Sequence, residues 1–193
     1  MEISLPSGAS CRHPVDVADS SSTDASSRTD ASDEDDYLSR LWQLGPAMVL
    51  GAPHSKRLGI RFVSVGLGGE GVRGRASLAL DYRRDLVGDA RARVLHGGAV
   101  TTLLDQTCGF AAIAGFRRPV SVATLNLHID YQRASPPNRT VIAVAEAYKI
   151  TQHVAFLRGI AHNGDEADPV ARCQASFIVN TASVDAAMER SRV

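Results

Sequence analysis

The chain has few of the residue patterns that carry the commoner chemistries. Its three cysteines, Cys11, Cys108 and Cys173, are odd in number, widely spaced and without a CxxC pair, a usage that suggests reduced thiols in a cytoplasmic protein. Cys108 and Cys173 fall at apolar positions and read as small core residues. The six histidines show no HxxxH or HxH spacing joined by a carboxylate, which argues against a metal site. Gly68-Gly69-Glu70-Gly71 is followed by no suitable helix start, so it is not a dinucleotide fingerprint. GxSxG and Cys–His nucleophile arrangements are missing too. No long apolar run exists, and the N-terminus lacks a basic region followed by an apolar one, so neither secretion nor a membrane span is expected. Its acidity argues against an organelle transit peptide. No internal repeat is visible.

The net charge of zero is an average over two unlike pieces. Residues 1–36 hold nine of the 21 acidic residues, only two of the 21 basic ones, and nine serines. With few large apolar side chains, such a segment cannot offset its ordering entropy by burial, and 1–36 is expected to be a disordered tail. The remainder carries 12 acidic and 19 basic residues, an excess of about seven positive charges. That excess suits an anionic ligand such as a nucleotide phosphate, although the arginines are scattered and form no nucleic-acid stripe. One folded domain, 37–182, and a short tail, 183–193, complete the expected organisation.

Within the domain, Tyr37–Leu50 has helical spacing that Gly45-Pro46 should kink or split. Leu58–Val65 and Val72–Leu80 read as strands around a glycine turn, and Asp81–Arg93 as a polar loop. After Pro119 the period becomes two. Ser121–Tyr131 places Ala123, Leu125, Leu127, Ile129 and Tyr131 on one face and Thr124, Asn126, His128 and Asp130 on the other. Thr140–Ile150, His153–His162 and Val170–Thr181 follow through short links, which predict a four-stranded antiparallel meander. A single long apolar helix among these strands must pack on the concave face of a curved sheet. The class is α+β.

That helix, 97–115, contains the most informative residue. From Gly97 to Phe116 the sequence is GGAVTTLLDQTCGFAAIAGF, and Asp105 is its only charged side chain. An isolated carboxylate in an apolar helix must be paired, hydrogen-bonded or shifted in its titration. The Gly97-Gly98 entrance leaves backbone N–H groups at the positive end of the helix dipole, suited to an oxyanion or a polarised carbonyl. Asp105 shares a face with Thr101, Cys108 and Ala112, and that face is expected to meet another subunit. The plain alternatives are a structural acid at Asp105, a turn-capping residue at His96 and a β-former at Thr124.

Leu95-His96-Gly97-Gly98, then Asp105 nine residues after the histidine, then Thr124-Leu125-Asn126-Leu127-His128-Ile129-Asp130-Tyr131-Gln132-Arg133, resembles the hotdog-fold acyl-CoA thioesterases of the phenylacetate-degradation type. The resemblance covers roughly residues 54–181. It implies a curved antiparallel sheet of about six strands wrapped around one long central helix, and a cleft built across subunits of a homodimer or dimer of dimers. It also implies hydrolysis of acyl-CoA to free acid and CoA, with no cofactor beyond the CoA of the substrate. By that resemblance Gly97 supplies the N–H that polarises the thioester carbonyl, with Gly98 assisting. His96 shapes the turn, Asp105 activates water or attacks directly, and Thr124 orients the carboxylate or the water. Oriented N–H groups are worth roughly 3–4 kcal/mol to such a transition state.

The family often has Asn or Gln six residues before the histidine, where this chain has Ala90; Asp89 is the candidate stand-in. Arg133 resembles the family's basic position near the pantetheine and phosphates, with Arg117 and Arg118 as weaker candidates. Two other readings stay open: a hotdog hydratase acting on an enoyl or hydroxyacyl thioester, and a non-catalytic acyl-CoA-binding protein.

Overall fold

The computed structural model describes residues 26–179. The expected tails therefore lie outside the described residues up to 25 and from 183 onwards. The element order is α1 (Ser26–Gly51), α2 (Pro53–Leu58), β1 (Ile60–Gly66), β2 (Gly74–Leu80), β3 (Val87–Asp89), β4 (Val94–Leu95), α3 (Gly97–Phe116), β5 (Val122–Tyr131), β6 (Val141–Ile150), β7 (Val154–His162) and β8 (Ala171–Val179). Six strands form one antiparallel sheet in the order β1-β2-β6-β7-β8-β5, and α3 lies against it as the central helix.

Several sequence expectations need correction. Helix α1 begins at Ser26, so residues 26–36, expected to be disordered, form its first part. Composition considers burial alone, whereas a helix already nucleated and packed at Leu41 and Val49 gains a hydrogen bond for each residue it extends. Gly45-Pro46 neither splits nor ends α1. Gly45 is instead a close-approach residue, since a Cβ there would overlap the Phe62 ring. The polar loop 81–93 contains a 3-10 turn at Arg84–Leu86 and, with β4, a small two-stranded ribbon.

A further correction concerns topology. β6, β7 and β8 form a meander, but β5 pairs with β8 at the far edge of the sheet and not with β6. The link between β5 and β6 contains Pro136-Pro137, whose missing N–H groups and fixed φ do not suit a tight two-residue hairpin. Residues 132–140 are long enough to carry the chain across the end of the sheet.

Another concerns the faces of α3. Cys108 and Ala112 are fully buried inside their own protomer, with Cys108 Sγ 3.8 Å from Cys173 Sγ on β8. The sheet wraps this face, so it does not wait for a second subunit. The stripe left half-open after the first turn is Thr101, Thr102, Asp105, Gln106, Gly109 and Ile113. By length and composition α3 could cross a membrane, yet most of it is enclosed by the sheet.

The strands of the six-stranded sheet carry apolar residues at period two, interrupted by three bulges. Val63 in β1, Leu125 in β5 and Tyr148 in β6 fall where the pairing register slips by one residue. All three are exposed, because a bulge leaves its extra residue outside the ladder.

Candidate active site

The bulge at Leu125 decides where the candidate residues point. Thr124 pairs with Phe177, and Asn126 with Ser176. Leu125 is the additional residue, so the alternation changes phase across it. Thr124 therefore shares the helix-facing side with Leu127, Ile129 and Tyr131 and leaves the outer face to Asn126, His128 and Asp130. Unbroken alternation, as read from the sequence, put Thr124 on the outer face.

From that side Thr124 Oγ1 donates a hydrogen bond to Asp105 Oδ1 at 2.8 Å. Asp105 is half-buried, and among the described residues no cation pairs with it. One carboxylate oxygen is thus held while the other is left toward a cleft of about 430 Å³. The cleft wall includes Met48 of α1, Gly109, Phe110 and Ile113 of α3, and Phe177 of β8. Among the described residues Asp105 is the only charged one lining it.

The start of α3 is arranged differently. His96 is the N-cap residue, and its Nδ1 accepts the Gly98 N–H at 2.9 Å. This fixes the tautomer, because an accepting Nδ1 carries no proton. It also means that the Gly98 N–H, expected to assist at the carbonyl, is occupied. The Gly97 N–H has no acceptor among the described residues and remains the available donor at the positive end of the helix.

Tyr131, which the sequence reading left without a site role, closes over this turn. Its Oη donates to the Gly97 carbonyl at 2.7 Å and lies 2.8 Å from Thr101 Oγ1. Thr101 Oγ1 donates to the same carbonyl at 3.1 Å. A Cβ on residue 97 would come within 3.3 Å of Tyr131 Oη, so glycine permits this close cover. The available signal was a polar-tipped aromatic at the end of a strand running back along the helix. A hollow of about 290 Å³ adjoins Gly97, Tyr131 and Arg133.

Two expected substrate contacts have partners within the protomer. Asp89 Oδ1 accepts the N–H groups of Arg91 and Ala92 at 2.8 and 3.2 Å, so it builds the turn that contains Ala90. Arg133 Nε lies 2.9 Å from Asp168 Oδ2, and its guanidinium also reaches Asn163 Oδ1 and the Asp168 carbonyl. It clamps the 163–168 turn while lining the hollow beside Gly97. Arg118 rests over the Phe116 ring, and Arg117 caps α3 with φ 52°. His128 lies 3.3 Å from Asp130 on the outer face, and His153 is exposed beside a hairpin. Behind Asp105, the bond to Cys173 and then burial hold the Cys108 thiol well above its usual range.

Within one protomer, Gly97 and Asp105 are separated by eight residues of helix, roughly 12 Å along its axis. A carbonyl oxygen on the Gly97 N–H is therefore out of reach of Asp105 of the same chain. β5 touches both groups, Asp105 through Thr124 and Gly97 through Tyr131.

The thioesterase superfamily profile matches residues 92–170, which include both motifs. A solved protein from Pseudomonas aeruginosa is 31% identical over 74% of this chain and 98% of its own, with a TM-score of 0.58. A putative esterase from Mycobacterium tuberculosis is 24% identical, covering 67% of this chain and 97% of that one, with a TM-score of 0.56. The Escherichia coli PaaI protein from the phenylacetic acid degradation operon is 18% identical over 75% of this chain and 96% of its own, and its TM-score is 0.63. The last two likenesses bear on the fold. No curated protein matches the chain. With the sheet-wrapped helix, the superfamily match and the 31% identical structure in agreement, the chain belongs to the thioesterase superfamily, as a hotdog-fold protein whose general chemistry is thioester hydrolysis.

Proposed function

We propose that the protein hydrolyses acyl-CoA thioesters to free acid and CoA at a site shared by two copies of the chain, with Gly97 from one and Asp105 from the other. The observation that carries this reading is the path of β5. Thr124 near its start contacts Asp105, and Tyr131 at its end contacts Gly97. Among the described residues β5 is an edge strand with one side of its ladder unpaired. If two such edges pair antiparallel about a two-fold axis through residue 128, residue 126 comes opposite 130 and, with the Leu125 bulge skipped, residue 124 of each copy comes opposite residue 131 of the other. Each Asp105 is then brought to the partner's helix N-terminus, and two equivalent sites result. The assembly is a homodimer, or a dimer of dimers.

In the proposed reaction the thioester carbonyl oxygen accepts the Gly97 N–H, which favours the charge that develops on it. Asp105, steadied by Thr124, takes a proton from water, and the hydroxyl oxygen adds to the carbonyl carbon. The carbon–sulfur bond then breaks, and the CoA thiolate takes up the proton from Asp105. Direct attack by the carboxylate would pass through a mixed anhydride before the same products. His96 holds the turn through Gly98 and turns its other ring nitrogen outward. Water and the thioester supply every atom, so no cofactor is required. The cysteine usage, read as reduced thiols, supports a cytoplasmic setting for the proposed reaction.

The test is Asp105→Asn, with thiol release followed across CoA thioesters of C2 to C16 and aryl acids. Loss of turnover by roughly 10²–10⁴-fold, the usual worth of a general base, is expected with the melting temperature retained. Unchanged hydrolysis would remove Asp105 from the reaction. Binding without thiol release by the unmodified protein would favour a non-catalytic acyl-CoA binder. Water addition to crotonyl-CoA would instead favour a hydratase.

A further inference from the structure

Glycine inside a helix is disfavoured for entropic reasons and needs a local cause. α3 has two interior glycines. Gly115 has its cause within the protomer, because a Cβ there would lie 2.9 Å from Ile150 Cδ1 and 3.2 Å from the Ala147 Cβ. Among the described residues Gly109 has none, since the nearest atom to its Cβ would be Phe177 Cε1 at 3.5 Å, an ordinary contact. Its backbone is regular helix, so a left-handed conformation does not explain it either.

What Gly109 does border is the cleft. It stands one helical turn beyond Asp105 on the same side of α3, with Ile113 a turn further along the wall. Met48 of α1 lies on the wall too, held there because α1 packs closely on Phe62 at Gly45. Beyond Asp105 the described lining is uncharged, with Phe110, Ile113, Phe177 and Met48 supplying the apolar surface. A volume of about 430 Å³ falls within the range of small-molecule sites, roughly 300–1,000 Å³.

We infer that this cleft receives the acyl group of the substrate, with Gly109 setting its breadth next to the carbonyl and Met48 its reach. The inference rests on the thioesterase reading above. The occupant is an uncharged acyl group that is broad at its first carbons, branched or ring-bearing, and of limited length. The missing side chain at 109 is the room such a group needs beside Asp105, and the Met48 thioether closes the distant end. An acyl group ending in a carboxylate would meet no compensating cation among the described lining residues.

The experiment measures kcat/KM by thiol release for butyryl-, isobutyryl-, hexanoyl-, decanoyl-, benzoyl- and phenylacetyl-CoA, using the full chain and the variants Gly109→Ala, Met48→Ala and Met48→Trp. Melting temperature and oligomeric state are recorded for each. For Gly109→Ala the ratio of benzoyl to butyryl kcat/KM is expected to fall at least tenfold, with the same assembly and no loss of melting temperature. Met48→Ala should move the preferred straight-chain length upward by two or more carbons, and Met48→Trp should move it down. An even change across all substrates, or a changed oligomeric state in Gly109→Ala, would overturn the inference and make Gly109 a packing residue. If the unmodified protein releases thiol but the variants keep its selectivity, only this inference fails. If it releases thiol from none of the six, the thioesterase reading falls as well.

Discussion

The two margins of the sheet are built alike and finished differently. Each edge strand carries a bulge with an exposed apolar residue, Val63 in β1 and Leu125 in β5. At the β1 margin α1 packs on the strand, burying Leu41 and Val49 and setting Trp42 edge-on to Phe62. At the β5 margin no other element of the described chain covers the strand beyond α3, and Tyr131 is about half exposed. Unpaired edges invite association. The contrast separates a margin completed within the protomer from one that is open, and the open one carries both contacts to the proposed reaction groups.

The strongest way to break this comparison is to place a charge at each bulge. Leu125→Lys is expected to yield a monomer by light scattering and to reduce thiol release at least tenfold. Val63→Lys should alter neither. Equal behaviour of the two variants would mean that β5 is not where copies meet. Next in size is Thr124→Val, which removes the donor to Asp105 while keeping its shape. A hydrogen bond to a charged group is worth about 1.5–3 kcal/mol, so kcat should fall about 10- to 150-fold with KM little changed. A rise in KM alone would assign Thr124 to ground-state binding. Tyr131→Phe should be milder, about fivefold in kcat for a bond worth ~1 kcal/mol, with the oligomer intact. No change there would leave Tyr131 as mere cover.

The smallest effect sharpens the closed margin. Tyr37 Oη donates to the Ile113 carbonyl and pins α1 to α3. Burial pushes its hydroxyl up to about 12, against a weaker opposing effect of Arg118. A folded value above the unfolded one, about 10, means that the neutral form is preferred in the native state. The stability it contributes is present below pH 10 and is lost as pH rises toward 12. Tyr37→Phe should cost about 1 kcal/mol near neutrality, with the difference from the unmodified protein shrinking between those values. A constant difference across that range, read by denaturant titration, would detach the pH effect from Tyr37.

The features readable in the sequence were those written in local pattern. The long apolar helix, the period-two strands and the Leu95–Gly98 turn leave direct marks, and the structure places each element within a few residues of its expected span. The position of β5 was not readable, because nothing in a strand's own residues says which neighbour it will take across a nine-residue link. The bulge was hidden for a related reason. Ala123, Leu125 and Leu127 alternate so evenly that the pattern conceals the extra residue. Asp89 and Arg133 illustrate a different limit. Their chemistry fits a ligand, but their own turns supply backbone amides and an Asn–Asp pair that use it first. Tyr131 and Gly109 gain meaning only when the strand and helix are seen side by side.

The phase slip at Leu125 has a consequence for how this strand tolerates length changes. Removing residue 125 would restore an even ladder in which Thr124 still opposes Phe177 and Asn126 still opposes Ser176. The protomer's own wiring of the carboxylate would survive that loss. Deleting one residue between 126 and 130 would instead put Thr124 and Tyr131 out of step, so that only one of them could keep its helix partner. A deletion scan along the strand should therefore show a single permissive position amid intolerant neighbours.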